Sequence, residues 1–96
     1  MSQILELDVV NPSGLHARPA ATFVKASCAF RSDIRVANVT TGGDPVNAKS
    51  ILSVLQLGAG RGHRVRISID GDDELEAAET LRDLVASGLG EALEPA

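Results

Sequence analysis

At 96 residues the chain has room for one domain, since domains run from about 50 to 250 residues. Hydrophobic residues make up 44% of it but aromatic ones only 2%, Phe23 and Phe30, so the core must be aliphatic and no platform for stacking bases can form. A net charge of -4 argues against a nucleic-acid partner bound through its phosphates.

The charge is unevenly placed. Residues 1 to 71 carry eight Lys or Arg against five Asp or Glu, whereas residues 72 to 96 carry one Arg against eight acids. Cys28 is the only cysteine, which excludes an internal disulfide and a cysteine-based metal cluster. No apolar stretch has the length of a signal peptide or a membrane span. We therefore expect a cytoplasmic monomer with no metal, no cofactor, no membrane and no nucleic acid.

Ile4 to Val10 is rich in branched residues and alternates in part, so it reads as a first strand that ends at Asn11-Pro12. The next stretch, Asn11-Pro12-Ser13-Gly14-Leu15-His16-Ala17-Arg18-Pro19-Ala20-Ala21, passes from turn dipeptides to helical spacing at His16. Pro19 fits the first turn of a helix, where its missing N–H has no intrahelical partner to lose. That helix is expected from about Ala17 to near Ala29. Its predicted buried stripe is Ala17, Ala20, Ala21, Val24 and Cys28, with Cys28 a small core residue.

A helix start offers unpaired N–H groups, here those of Ala17 and Arg18, and the positive end of the helix dipole. Together these favour an anion such as phosphate. They also favour the neutral, nucleophilic form of His16, and Arg18 adds a planar fork of donors suited to phosphate oxygens. Nucleophile, donors and counter-charge fall within three consecutive positions. The residues alone leave a plainer alternative: an exposed cap histidine beside one cation of a solvated helix face.

Ile34 to Asn38 reads as the second strand. Val39 to Val46 holds a turn and a short edge strand interrupted by Pro45, with its register open. Asn47 is a suitable cap for a short helix from Ala48 to Leu57, stopped by Gly58, which makes Ser50 its third residue. Ile51, Leu52, Val54 and Leu55 are more apolar than one face of so short a helix needs; Val54 is assigned to the core and some of the others to solvent. Gly58-Ala59-Gly60-Arg61-Gly62 follows a helix and opens a strand, unlike a nucleotide phosphate loop, so it reads as a turn, with His63 an exposed turn residue.

His63 to Asp70 alternates almost strictly, with Val65, Ile67 and Ile69 facing in. A last helix is expected from Glu74 to Ser87, with Leu75, Ala78, Leu81, Leu84 and Val85 buried and Gly88 as its stop. Residues 89 to 96 are expected to fray. The order β-α-β-β-α-β-α implies a single α+β domain, an antiparallel four-stranded sheet covered on one face by three helices in a two-layer open-faced sandwich.

Gly14-Leu15-His16-Ala17-Arg18-Pro19-Ala20 resembles the active-site signature of HPr, the histidine-containing phosphocarrier family of the bacterial phosphotransferase system. Ala48-Lys49-Ser50-Ile51-Leu52-Ser53-Val54-Leu55-Gln56-Leu57-Gly58 is similar to that family's regulatory-serine segment. The resemblance covers almost the whole chain. It implies strand order 1-4-2-3 and a phosphoryl group carried on Nδ1 of His16, received from enzyme I and passed to enzyme IIA domains of sugar transporters. It further implies modification of Ser50 by an HPr kinase/phosphorylase, recognition by a transcriptional regulator, and a docking patch of Ile51, Leu52 and Leu55. Lys25 and Lys49 would join Arg18 in attracting acidic partners if they share its face. Such a protein is a covalent carrier rather than an enzyme. Three alternatives stand beside it: a related carrier serving nitrogen signalling or dihydroxyacetone phosphorylation, a regulatory adaptor acting through Ser50, and a small ligand-binding domain.

Overall fold

Apolar alternation builds the sheet of this protein and helical spacing builds the layer that covers it. The computed structural model describes residues 2–92. In chain order its elements are β1 (Ser2–Asp8), α1 (Ala17–Cys28), β2 (Asp33–Asn38), β3 (Val46–Asn47), α2 (Ile51–Gln56), β4 (Arg64–Asp70) and α3 (Glu74–Ala86). The strands form one antiparallel sheet in the order β1-β4-β2-β3, the expected two-layer α+β architecture.

β4 is flanked on both sides, and the register lines up one apolar row after another. Ile67 stands between Leu5 and Val36, and Ile69 pairs with Ile34. Val65, Ile67 and Ile69 are buried while Arg64 and Arg66 are exposed, so every second residue of β4 faces the helices. On the open face Arg64 and Arg66 reach the carboxylate of Glu6, and Arg64 also reaches Asp8. The first strand starts and ends two residues earlier than expected, and the edge strand is confined to two residues.

The helices pack differently from their predicted stripes. In α1 the buried residues are Pro19, Ala20, Phe23 and Ser27. Ala17, Ala21 and Cys28 are exposed and Val24 is half-buried. Phe23 decides the rotation, because burying its ring removes far more apolar area from water than any alanine can. Ser27 is admitted because its hydroxyl donates to the Phe23 carbonyl at 2.9 Å. In α3 Ala77, Ala78, Leu81 and Val85 are buried, but Leu75 is 71% exposed. Leu75 lies six residues from Leu81, roughly 120° around the helix, which puts it off the face that meets the sheet.

The segment after α3 is held rather than frayed. Leu89 is buried, and its N–H donates to the Leu84 carbonyl at 3.0 Å in a turn that caps the helix. Residues 93–96 of the expected frayed tail lie outside the described residues. At the other end of α3 the Asp73 carboxylate accepts from the backbone N–H groups of Arg31 and Ser32 at 2.8 and 3.0 Å and from the Ser32 hydroxyl. These bonds, the hydroxyl foremost, hold Asp73 well below the usual carboxylate range, at about 2.

Candidate functional site

The connection from β1 to α1 is fastened to the turn that precedes β4. Val9 N–H donates to the His63 carbonyl and Gly62 N–H to the Val9 carbonyl, both at 2.8 Å. Leu15 N–H donates to the Ala59 carbonyl at 2.8 Å, and Leu15 itself is buried. Gly14 makes this approach possible. Its φ is +66°, and a Cβ there would stand 2.5 Å from the Ala59 carbonyl oxygen and 2.7 Å from Gly60 Cα.

The loop delivers His16 as the N-cap of α1, with extended backbone (φ -129°, ψ 159°) and an exposed side chain. The imidazole makes no cap hydrogen bond; the cap is made by the backbone, with Ala20 N–H reaching the His16 carbonyl at 3.4 Å. Ala17 and Arg18 occupy the first two helical positions, so their N–H groups have no acceptor within the helix. Ala17 has φ +50°, a left-handed conformation that disfavours any residue with a Cβ. Arg18 is exposed and, with Ala17, Ser13, Pro12 and Glu91, lines an open depression of ≈ 630 Å³. His16, Ala17 and Arg18 therefore come together at one exposed helix start that can hold an anion.

Ser50 is not the third residue of the second helix but its N-cap. Its Oγ accepts from Ser53 N–H at 3.3 Å and its carbonyl from Val54 N–H at 3.0 Å. Asn47 instead caps a tighter turn, its Oδ1 accepting from Lys49 N–H at 3.0 Å. Serine won because its short hydroxyl meets the N3 donor directly.

α2 runs back along α1. The segment before α2 touches the end of α1, where Lys49 Nζ donates to the Phe30 carbonyl at 2.7 Å and the Cys28 thiol lies 3.7 Å from the Lys49 carbonyl. The segment after α2 contains Ala59, which binds Leu15 beside His16. Val54 is buried, while Ile51, Leu52 and Leu55 are 42%, 66% and 37% exposed and form an apolar patch on α2. Lys25 is exposed in the last turn of α1. Lys25 and Lys49 thus belong to the far end of α1, roughly 12 Å or more along the axis from His16 at 1.5 Å per residue. Arg18 is the cation next to the histidine.

Two residues join the site that sequence reasoning did not place there. His63 is half-buried rather than exposed; its Nδ1 faces Gly60 N–H at 3.1 Å and the Asn38 amide nitrogen at 3.2 Å. Both are donors, so Nδ1 accepts and the ring proton sits on Nε2. The turn on which Gly14 rests is thereby braced. Glu91 reaches back across the chain: its Oε1 accepts from Asn11 Nδ2 and from Ser13 N–H, both at 2.9 Å, and its Oε2 from the Ser13 hydroxyl at 2.7 Å. The Asn11 amide, then the two Ser13 donors, hold the Glu91 carboxyl below its ordinary range. The only hint in the sequence is Gly88-Leu89-Gly90, an apolar residue between two glycines, which suits a chain turning back onto its own core.

Among the described residues no three His, Cys, Asp or Glu side chains gather as a metal site, and no helix is long and apolar enough to cross a membrane. The family model for the PTS HPr component phosphorylation site matches residues 5–87. The chain is 41% identical over 86 residues to the multiphosphoryl transfer protein of Salmonella typhimurium, covering 90% of this chain and 23% of that one. It spans less than a quarter of the length of the curated relatives it matches. Its structure is similar to HPr-C-His from Thermoanaerobacter tengcongensis, at 43% identity and a TM-score of 0.88 over 95% of this chain and 99% of that one. It is also similar to the phosphocarrier protein HPr from Bacillus anthracis, at 37% identity and a TM-score of 0.81 over 88% and 96% of the two chains. By sequence and by fold, the chain belongs to the HPr family, the histidine-containing phosphocarriers of the phosphotransferase system.

Proposed function

We propose that His16 accepts a phosphoryl group from enzyme I, charged from phosphoenolpyruvate, and passes it to an enzyme IIA domain of a sugar transporter in the cytoplasm. The supporting observation is the exposed, uncapped imidazole of His16 beside the free N–H groups of Ala17 and Arg18 and the Arg18 side chain, in a chain of the HPr family. In each transfer the lone pair of a neutral ring nitrogen, Nδ1 by family resemblance, forms the N–P bond as the donor's bond to phosphorus breaks and its electron pair stays with the donor. The return step is the same displacement with the acceptor attacking. A carrier has to hold its group through diffusion and still surrender it. An exposed helix start with two N–H donors and one guanidinium gives such moderate stabilisation. The protein is regenerated by the second transfer and has no turnover site of its own.

The apolar patch of Ile51, Leu52 and Leu55 would dock both partners, having the exposed apolar centre usual in protein contacts. Lys25 and Lys49 contribute to its charged rim. Ser50 is the second modification site in this reading, for an HPr kinase/phosphorylase whose product a transcriptional regulator would recognise. Phosphate on an N-cap serine complements the helix dipole.

The test is the intact mass after incubation with enzyme I and phosphoenolpyruvate. One added phosphoryl group that mild acid removes, and that His16→Ala does not acquire, is expected. No addition with an enzyme I shown to be active and compatible would defeat the reading. An acid-stable phosphate added by the kinase and lost in Ser50→Ala would establish the second site, and its absence would remove it.

A further inference from the structure

We propose that Glu91 is a positioning residue of the His16 site, acting through the loop that ends in His16; the proposal rests on the phosphocarrier reading. Glu91 lies beyond residues 5–87, the stretch that the family model matches. Its carboxylate takes three donors from two residues of one short loop, the Asn11 amide and the N–H and hydroxyl of Ser13. The same Asn11 nitrogen also donates to the Gly14 carbonyl at 2.9 Å, and Asn11 is fully buried. Turning that amide over would set its oxygen against the carboxylate, so the arrangement admits one orientation. Glu91 therefore holds both the start of the loop and, through Asn11, its end at Gly14, two residues before His16.

The carboxylate is presented by a fixed piece of chain. Leu89 is buried in the core, its N–H is bonded to Leu84, and Glu91 N–H donates to the Gly88 carbonyl at 2.9 Å. Ser13, Arg18 and Glu91 line the same depression, so the clamp stands beside the phosphoryl-binding groups without being one of them. Without Glu91 the buried Asn11 amide loses a partner, the Ser13 N–H turns to water, and the loop relaxes. Displacements of about 1 Å in a reacting group can slow a reaction by up to about a hundredfold.

The experiment measures phosphoryl uptake from enzyme I at 25 °C in wild type, Glu91→Ala and Glu91→Gln, alongside amide hydrogen exchange. Glu91→Ala is expected to lower kcat about tenfold with KM unchanged, because the α2 patch is untouched. In Glu91→Gln one oxygen can still accept from Asn11 and Ser13 N–H, so kcat should return to within about threefold of wild type. A merely structural role would not give this split between kcat and KM with rescue by the neutral isostere. Wild-type uptake in Glu91→Ala overturns the proposal, as does a Glu91→Gln as slow as Glu91→Ala. If wild type itself is inert to a competent enzyme I, the phosphocarrier reading falls by itself. The clamp is then decided by the Gly14 and Leu15 amides: faster exchange in Glu91→Ala, restored in Glu91→Gln, supports it, and unchanged exchange overturns it.

Discussion

Lys49 Nζ is hydrogen-bonded to the Phe30 carbonyl at 2.7 Å, so the residue just before Ser50 is pinned to the far end of the helix that His16 begins. A charged donor on an orphaned carbonyl beyond a helix end is one of the stronger hydrogen bonds available to a half-buried lysine. Lys49→Met keeps the apolar stem and removes the bond. It should lower stability by about 1–2 kcal/mol, or the melting temperature by roughly 4–8 °C per kcal/mol in a domain of this size. Thermal unfolding followed by far-ultraviolet circular dichroism reads this, and an unchanged midpoint would show that the bond contributes nothing net.

Ala17 and Ala21 sit in the same helix, yet glycine should act on them in opposite senses. At Ala17, with φ +50°, glycine removes a left-handed penalty of about 1–2 kcal/mol, which offsets its greater freedom in the unfolded chain. At the exposed, helical Ala21 only the unfolded-state effect remains, a loss of about 1 kcal/mol. Urea titration should therefore find Ala17→Gly neutral or more stable by up to about 1 kcal/mol and Ala21→Gly less stable. Equal losses would mean that Ala17 is not strained.

Gly14→Ala should be the most damaging change in the loop. The added methyl meets the Ala59 carbonyl and Gly60 Cα, both backbone, at a φ of +66°. Strain and overpacking together are expected to cost about 2–4 kcal/mol of unfolding free energy, read by urea titration. Because the same contact carries the Leu15 to Ala59 hydrogen bond, faster exchange of the Leu15 amide should accompany the loss.

Acid should unfold the protein through its clamping carboxylates. Asp73 is lowered in the folded state from 3.8 to about 2, and Glu6 and Glu91 are lowered too, Glu6 by its bonds to Arg66 and then Arg64. A depressed folded value means that the contribution is complete above the unfolded value and fades as pH falls through the folded one. Stability should thus be level near neutrality and decline from about pH 4 towards pH 2. Asp73→Asn should be less stable at pH 7 and show a shallower acid decline; an acid limb as steep as wild type would assign the effect elsewhere.

Much of this was readable from residue order. β4 was plain because Val65, Ile67 and Ile69 alternate with polar residues over its whole length, and the helix start at His16 was plain because turn residues and Pro19 bracket it. The faces of α1 were not, since the many alanines outvote one phenylalanine in a count of periodicity, while in burial Phe23 outweighs them. Ser50 and Asn47 are both good caps, and which of them starts α2 depends on the backbone arriving from β3. Glu91 and His63 were hidden for a simpler reason: their partners Asn11, Ser13 and Asn38 lie between 25 and 80 residues away.

The Asn11 to Glu91 bond also orders events in time. It spans 80 residues, and the neighbouring β1–β4 pairing joins Asp8 to Arg64. Contacts of such separation form late and slowly, after the local helices. On the ribosome, where domains fold as they emerge, His16 leaves the exit tunnel before either of the residues that fasten its loop, first Ala59 and then Glu91. A nascent chain therefore carries the histidine long before it carries the shape around it, and a partner that recognises the fastened loop would pass over unfinished copies.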